Sequence, residues 1–279
     1  MIASASLLAF LAAAPAAPPP AGPEIVLANE VLVSGGDRVA PAMEAFVRRI
    51  ETVGGWPAGS LRGKAFARPR EALEYIRKNK VAFAFLPVHQ FVQARTSLKM
   101  DVLGWAVGLD GLERAYWGVA RNEARPYEHL EEASGLRVAT TEIDDVVWLR
   151  TLFEGNVRQP ERQFKLMETP SGAEAVAAVL ARKADVALIS QLDFDPLKPR
   201  IERKVDLAWV YASGRMPAPP VVAMGKWASP ADRKKMTAAL EKICKKEGAD
   251  HCGRMGIMYI QAGHAEDYKK IIKRYDDYR

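Results

Sequence analysis

The chain has 279 residues, 49% of them hydrophobic and 27% charged, enough to build two lobes of ordinary domain size around sizeable cores. It carries 40 Lys and Arg against 34 Asp and Glu, a formal net charge of +6. The bases are scattered among acids, with no basic block and no aromatic-basic motif, which argues against a nucleic-acid partner. Lys242, Lys245 and Lys246 read as favourable charge at a helix end.

Residues 1–23 stand apart. Met1 to Ala17 carry no charge, their apolar run is too short to span a bilayer, and a Pro-rich exit follows at Pro18, Pro19, Pro20 and Pro23. This composition favours a secretory signal peptide over a disordered Ala/Pro tail, although no Lys or Arg precedes the apolar run. No Cys lies there to take a lipid anchor. The expected location is the periplasm.

Glu24 to Asn29 opens with a buried strand, and Pro41 starts a helix with Met43, Phe46, Val47 and Ile50 on one face. Lys64 to Ala67 reads as a short strand. Pro69 starts a second helix that ends at Asn79, and Val81 to Leu86 is a buried strand that turns into a third helix after Pro87. Such β-α alternation predicts a largely parallel sheet. Val102 to Val107 and Tyr116 to Ala120 are further strands, with a turn at Gly108 to Gly111 between them. Tyr127 to Ala133 reads as a short helix.

Gly135 to Gly155 reads as strand, turn and helix. Leu136 to Ala139 form the strand, Thr140 and Thr141 offer N-caps, and Val146, Val147, Leu149, Leu152 and Phe153 fit one helix face. A second set follows: a strand at Phe164 to Met167, a helix capped by Ser171 with Glu174 at the capping-box position, and a buried strand from Ala184 to Ser190. Leu207 to Tyr211 and Val221 to Ala223 are extended. Ser229 and Pro230 open a helix closed by Gly248, and Ala265 to Tyr278 form the last helix. There is no internal repeat and no transmembrane segment.

Cys244 and Cys252 are an even pair, and in an exported protein they suggest a disulfide. With His251 they fall short of a recognised zinc motif. No nucleophile elbow, nucleophile-plus-base spacing or phosphate loop is present, so an enzyme is not expected. Neither a cofactor nor a metal is expected.

The order of these pieces resembles that of type II periplasmic solute-binding proteins, and the motifs are similar to those of the phosphate/phosphite/phosphonate-binding branch that serves ABC transporters. The resemblance is carried by REALEYIRKNKVAFAFLPVHQFVQA, SGLRVATTEIDD, ADVALISQLDF, AWVYASGRMPAPPVVA and EDYKKIIKRY. It implies an α/β fold of two lobes with mostly parallel sheets and a two-strand hinge. The first lobe is expected from residues 24–108 and 214–279, and the second from 109–213. It also implies a monomer that delivers a small-molecule ligand to the membrane permease of an ABC importer, or that reports it to a membrane sensor on the same fold.

Four turns are expected at the cleft between the lobes. They hold Asn29 and Glu30; His89 and Gln90; Thr140, Thr141, Asp144 and, one helical turn on, Trp148; and Ser190, Gln191 and Asp193. Where the resembled family presents a Ser-Thr-Ser turn to an anionic phosphonate, this chain has Thr140-Thr141-Glu142-Ile143-Asp144-Asp145. Three carboxylates in a desolvated cleft repel an anion. The expected ligand is a neutral polyol-like, cationic or largely apolar solute, and not phosphate or a phosphonate.

Overall fold

The computed structural model describes residues 22–108, 111, 113–124, 129–203 and 205–279. The leader expected over 1–23 lies, up to residue 21, outside the described residues.

The elements follow in chain order. β1 (Glu24–Ala28), α1 (Val39–Gly54), β2 (Arg62–Phe66), α2 (Pro69–Lys78), β3 (Val81–Phe85), α3 (Val88–Ala94) and β4 (Met100–Val107) form the first group. β5 (Glu113–Arg114), β6 (Tyr116–Arg121), β7 (Arg137–Thr140), α4 (Val146–Leu152), α5 (Pro160–Gln163), β8 (Lys165–Glu168), α6 (Gly172–Leu180), β9 (Val186–Ser190), α7 (Gln191–Phe194), α8 (Lys198–Glu202) and β10 (Leu207–Ala212) come next. β11 (Met216–Pro217), β12 (Pro220–Met224), α9 (Pro230–Ile243), α10 (Gly248–Arg254), β13 (Tyr259–Ala262) and α11 (Lys269–Asp277) close the chain.

The strands make two separate sheets, in the orders β13-β4-β12-β3-β1-β2 and β10-β6-β9-β7-β8, with a small β11-β5 ribbon between them. The α/β class is as expected, but the sheets are mixed rather than mostly parallel. β1 pairs in parallel with β2 and β3, and β7 with β8 and β9; every other pairing is antiparallel. The cause is the crossover. β12 enters the first sheet from the other half and therefore runs against β3 and β4, and β6 leaves the crossover running against β9. A strand-helix-strand reading counts only the β-α-β units and misses this reversal.

Period-2 alternation divides each sheet between two cores. Ile25, Leu27, Phe83, Phe85, Val221 and Ala223 face α1, α9 and α10. Val26, Ala28, Ala84 and Val222 face the other way, into a cluster shared with Val138, Trp148, Leu188 and Val210 of the second half. Val119, Ala139, Ala187 and Ile189 pack with Ala175, Val176 and Val179 of α6 on the outer face.

The chain passes between the sheets twice, and the ribbon pairs the two passages: Met216 opposite Arg114 and Pro217 opposite Glu113. Ser213 ties them again, its hydroxyl accepting from Tyr116 N at 2.8 Å while its own N–H donates to the Tyr116 carbonyl at 2.8 Å. α11 is a third link. It packs against α4 and α3 and places Ile271 and Tyr275 in the shared cluster. Its Tyr275 hydroxyl donates to Asp145 Oδ2 at 2.7 Å, Arg274 pairs with Glu154, and Arg95, just after α3, donates to Asp276 Oδ1 at 2.6 Å. Just before it, Tyr268 is fully buried, stacks edge-on against Phe91 at 5.1 Å and donates to the Ala218 carbonyl at 2.7 Å.

Cys244 and Cys252 form a disulfide with Cα atoms 5.5 Å apart, joining the end of α9 to α10. Closing a short loop limits the unfolded chain, so reduction should cost about 2–3 kcal/mol. For a protein of this size that lowers the melting temperature by roughly 5–10 °C. Thermal melts with and without reductant test this; identical melts would show that the bridge contributes no stability.

Candidate functional site

The C-terminal ends of β1, β3, β7 and β9 all run toward the space between the two sheets, as ligand-binding ends do in open α/β folds. Two cavities lie there. The smaller, about 80 Å³, is lined by Asn29, Pro87 and His89 from the first half and by Arg114, Tyr116 and Ser190 from the hinge and second half. The larger, about 780 Å³, is lined by α2 and α3 on one side and by Thr141, Glu142, Asp144, Asp145, Glu168 and Thr169 on the other. His89 lines both.

Each of the four expected turns thus supplies lining residues: Asn29, His89 with Gln90, Thr141 with Asp144, and Ser190. Asn29 also donates to the Met255 carbonyl at 3.0 Å. The Glu30 side chain lies outside the described part. Thr140 and Trp148 are 0% and 1% exposed and line neither cavity. Gln191 is held by structure, accepting from Trp117 Nε1 at 2.8 Å and donating to Asp195 Oδ1 at 2.6 Å. Asp193 accepts the Ser190 hydroxyl at 2.8 Å, and burial holds its carboxyl above the ordinary range.

The turn after β7 differs from the expected cap. Asp145, not Thr140 or Thr141, caps α4, accepting from Trp148 N at 3.0 Å. Thr140 instead holds the turn itself by accepting from Glu142 N at 3.2 Å. Each of the three carboxylates therefore has its own partner. Asp145 serves the helix N-terminus and Tyr275. Asp144 accepts from Arg70 Nη1 at 3.0 Å, a contact from one half to the other whose partners are both well exposed, and so worth under about 1 kcal/mol.

Glu142 is the unusual one. Only 6% exposed, it accepts from the Tyr116 hydroxyl at 3.0 Å and the Thr141 hydroxyl at 3.1 Å, and His89 Nδ1 of the other half lies 3.8 Å away. The buried Trp148 indole N–H makes no hydrogen bond, yet it lies close enough to favour the charged carboxylate. Burial outweighs these donors and, with the Asp145 charge, pushes the Glu142 carboxyl up to about 7.

Turn-by-turn reading misses two sets of groups. Arg114 reaches the smaller cavity from the two-residue β5, and Arg68 at the cap of α2 and Arg70 and Arg77 on it border the larger one. The signal for the latter was present: Arg68 and Arg70 flank Pro69, a helix-start proline directly before an amphipathic run. Among the lining side chains, Gln90 is 2% exposed and its Oε1 has no hydrogen-bond partner. Thr169 Oγ1 is likewise buried without one.

Two mixed α/β sheets, two crossovers and cavities between them define the type II periplasmic-binding-protein fold. Solved structures that share it include these three. One is a Xanthomonas citri protein bound to chloride ion, 13% identical, with TM-score 0.73 over 93% of this chain and 99% of that one. A binding-protein component of an ABC phosphonate transporter from Pseudomonas aeruginosa is 16% identical, with TM-score 0.66 over 91% and 88%. PhnD1 of Prochlorococcus marinus in complex with methylphosphonate is 12% identical, with TM-score 0.67 over 92% and 98%. No curated protein matches in sequence. The chain belongs to the family described as "ABC transporter, phosphonate, periplasmic substrate-binding protein", which is matched over residues 36–268. Among the described residues, no helix is long and apolar enough to cross a membrane.

Proposed function

We propose that this protein is the exported receptor of an ATP-driven importer, a monomer whose two lobes close on a small solute between Asn29, His89, Gln90, Thr141 and Ser190. Its ligand is a neutral polyol-like or cationic solute rather than phosphate or a phosphonate. The observation that carries this is the buried Glu142 carboxylate at the junction of the two halves. Where Glu142 is ionised, an anion beside it would meet a like charge with little water between them, and where it is protonated its side chain still occupies the donors an anion would need. The larger cavity supports the same reading: Glu71, Glu74, Glu142, Asp144, Asp145 and Glu168 face it against only Arg68, Arg70 and Arg77. Gln90 Oε1 needs a donor, which a hydroxyl or an ammonium supplies.

Titration calorimetry of the purified protein tests the ligand class. Organic cations and polyols should include a binder, and methylphosphonate and phosphate should not bind; micromolar binding of either anion overturns the reading. For the solute that binds, Gln90→Leu should weaken affinity by about tenfold or more, the cost of leaving a ligand donor unpaired.

A further inference from the structure

Four elements converge on one side chain. β6 brings the Tyr116 hydroxyl, the turn after β7 brings the Thr141 hydroxyl, α4 brings the Trp148 indole N–H, and α3 of the other half brings His89 Nδ1. Three of these groups can only donate, or donate here, and the fourth does so when that nitrogen carries the proton. They surround a carboxylate that enters from the edge of the larger cavity. Its carboxyl group is thus enclosed by donors from elsewhere in the fold. The 1%-exposed indole N–H meets no acceptor at hydrogen-bond geometry, so its polar neighbour in the cluster is the Glu142 carboxyl it helps to keep charged.

We propose that this cluster is a carboxyl-binding site filled by the chain's own Glu142, and that by occupying it Glu142 is the specificity-determining residue that keeps small oxyanions out of the cleft. The proposal deepens the solute-receptor reading and rests on it for its biological sense, since it explains why a ligand at this junction is not an anion. Removing the side chain beyond Cβ leaves the Tyr116 and Thr141 hydroxyls and the Trp148 N–H facing a space the size of a carboxylate and open to the larger cavity. A free carboxylate should then enter and restore the lost contacts.

The test is rescue by acetate. Sodium acetate should raise the melting temperature of Glu142→Ala by about 3–6 °C at ten times its dissociation constant, relative to sodium chloride of equal ionic strength. It should leave the wild type and Glu142→Gln unchanged, because both still fill the site. Should Glu142→Ala fail to fold, Glu142→Ser, which keeps one hydrogen-bonding group in the turn, gives the same readout. An unchanged melt of the folded variant in acetate overturns the proposal, as does an equal shift in the wild type. The experiment uses no natural solute, so failed rescue with polyol or cation binding intact removes the role of Glu142 alone. Methylphosphonate binding by the wild type would instead remove the ligand reading.

Discussion

Raising the pH from about 5 to about 8 should destabilise the wild-type protein by about 3 kcal/mol more than it destabilises Glu142→Gln. The cause is the buried carboxyl, whose folded-state value is pushed up to about 7. In the unfolded chain it titrates near its ordinary value of about 4.3. Below that range it is protonated in both states, and the burial costs no charge. Between the two values only the unfolded state is ionised, so unfolding releases a proton and stability falls as pH rises. Above about 7 the loss is complete. The groups facing the carboxyl are the Tyr116 and Thr141 hydroxyls, the Trp148 indole, His89 Nδ1 at 3.8 Å and the Asp145 charge. Urea melts at four pH values give the profile, and repeating the pair on a His89→Ala background removes the imidazole's own titration. Parallel wild-type and Glu142→Gln profiles would show that the carboxyl titrates normally.

Trp148→Ala should cost about 3–5 kcal/mol, and Trp148→Phe much less. The indole is 1% exposed and packs among Tyr116 at 6.3 Å and His89 at 5.9 Å, inside the cluster that both halves share. The sequence places Trp148 at the cleft, one helical turn after the β7 turn; at 1% exposed and lining neither cavity, it sits as a floor beneath it. The two substitutions separate these roles. A floor residue changes the unfolding midpoint far more than it changes the affinity of Trp148→Phe for solute. A large loss of affinity with an unchanged midpoint would place Trp148 in contact with the solute.

The two-sheet fold was legible because most strands are continuous apolar runs and the main helices carry clear starts. Val81 to Phe85 is buried at every position, and Ser229 caps α9 through Asp232 N as its Ser-Pro start suggests. What escaped had no period to read. β5 and β11 are two residues each. β13 is an edge strand with one buried residue in four, and α10 is a seven-residue helix opening on Gly248. The lining of the two cavities was legible in part. Strand ends pointed to His89, Gln90, Thr141 and Ser190, because every β-α turn emerges on the same side. Charge balance was not, since it depends on pairings between distant residues. Arg70 meets Asp144, Tyr275 meets Asp145, and Arg114 arrives from the hinge, all through tertiary folding alone.

The position of α11 in the chain has a consequence for biogenesis. It follows every strand, so both sheets can be complete while the groove between α3 and α4 is still open. During that interval Phe153 and Phe91 border an apolar surface that Tyr268, Ile271 and Tyr275 have yet to cover. A nascent or clipped polypeptide ending before Tyr268 would retain its strands but leave that surface uncovered. The final helix is thus the lid over an apolar seam that the two sheets alone leave uncovered.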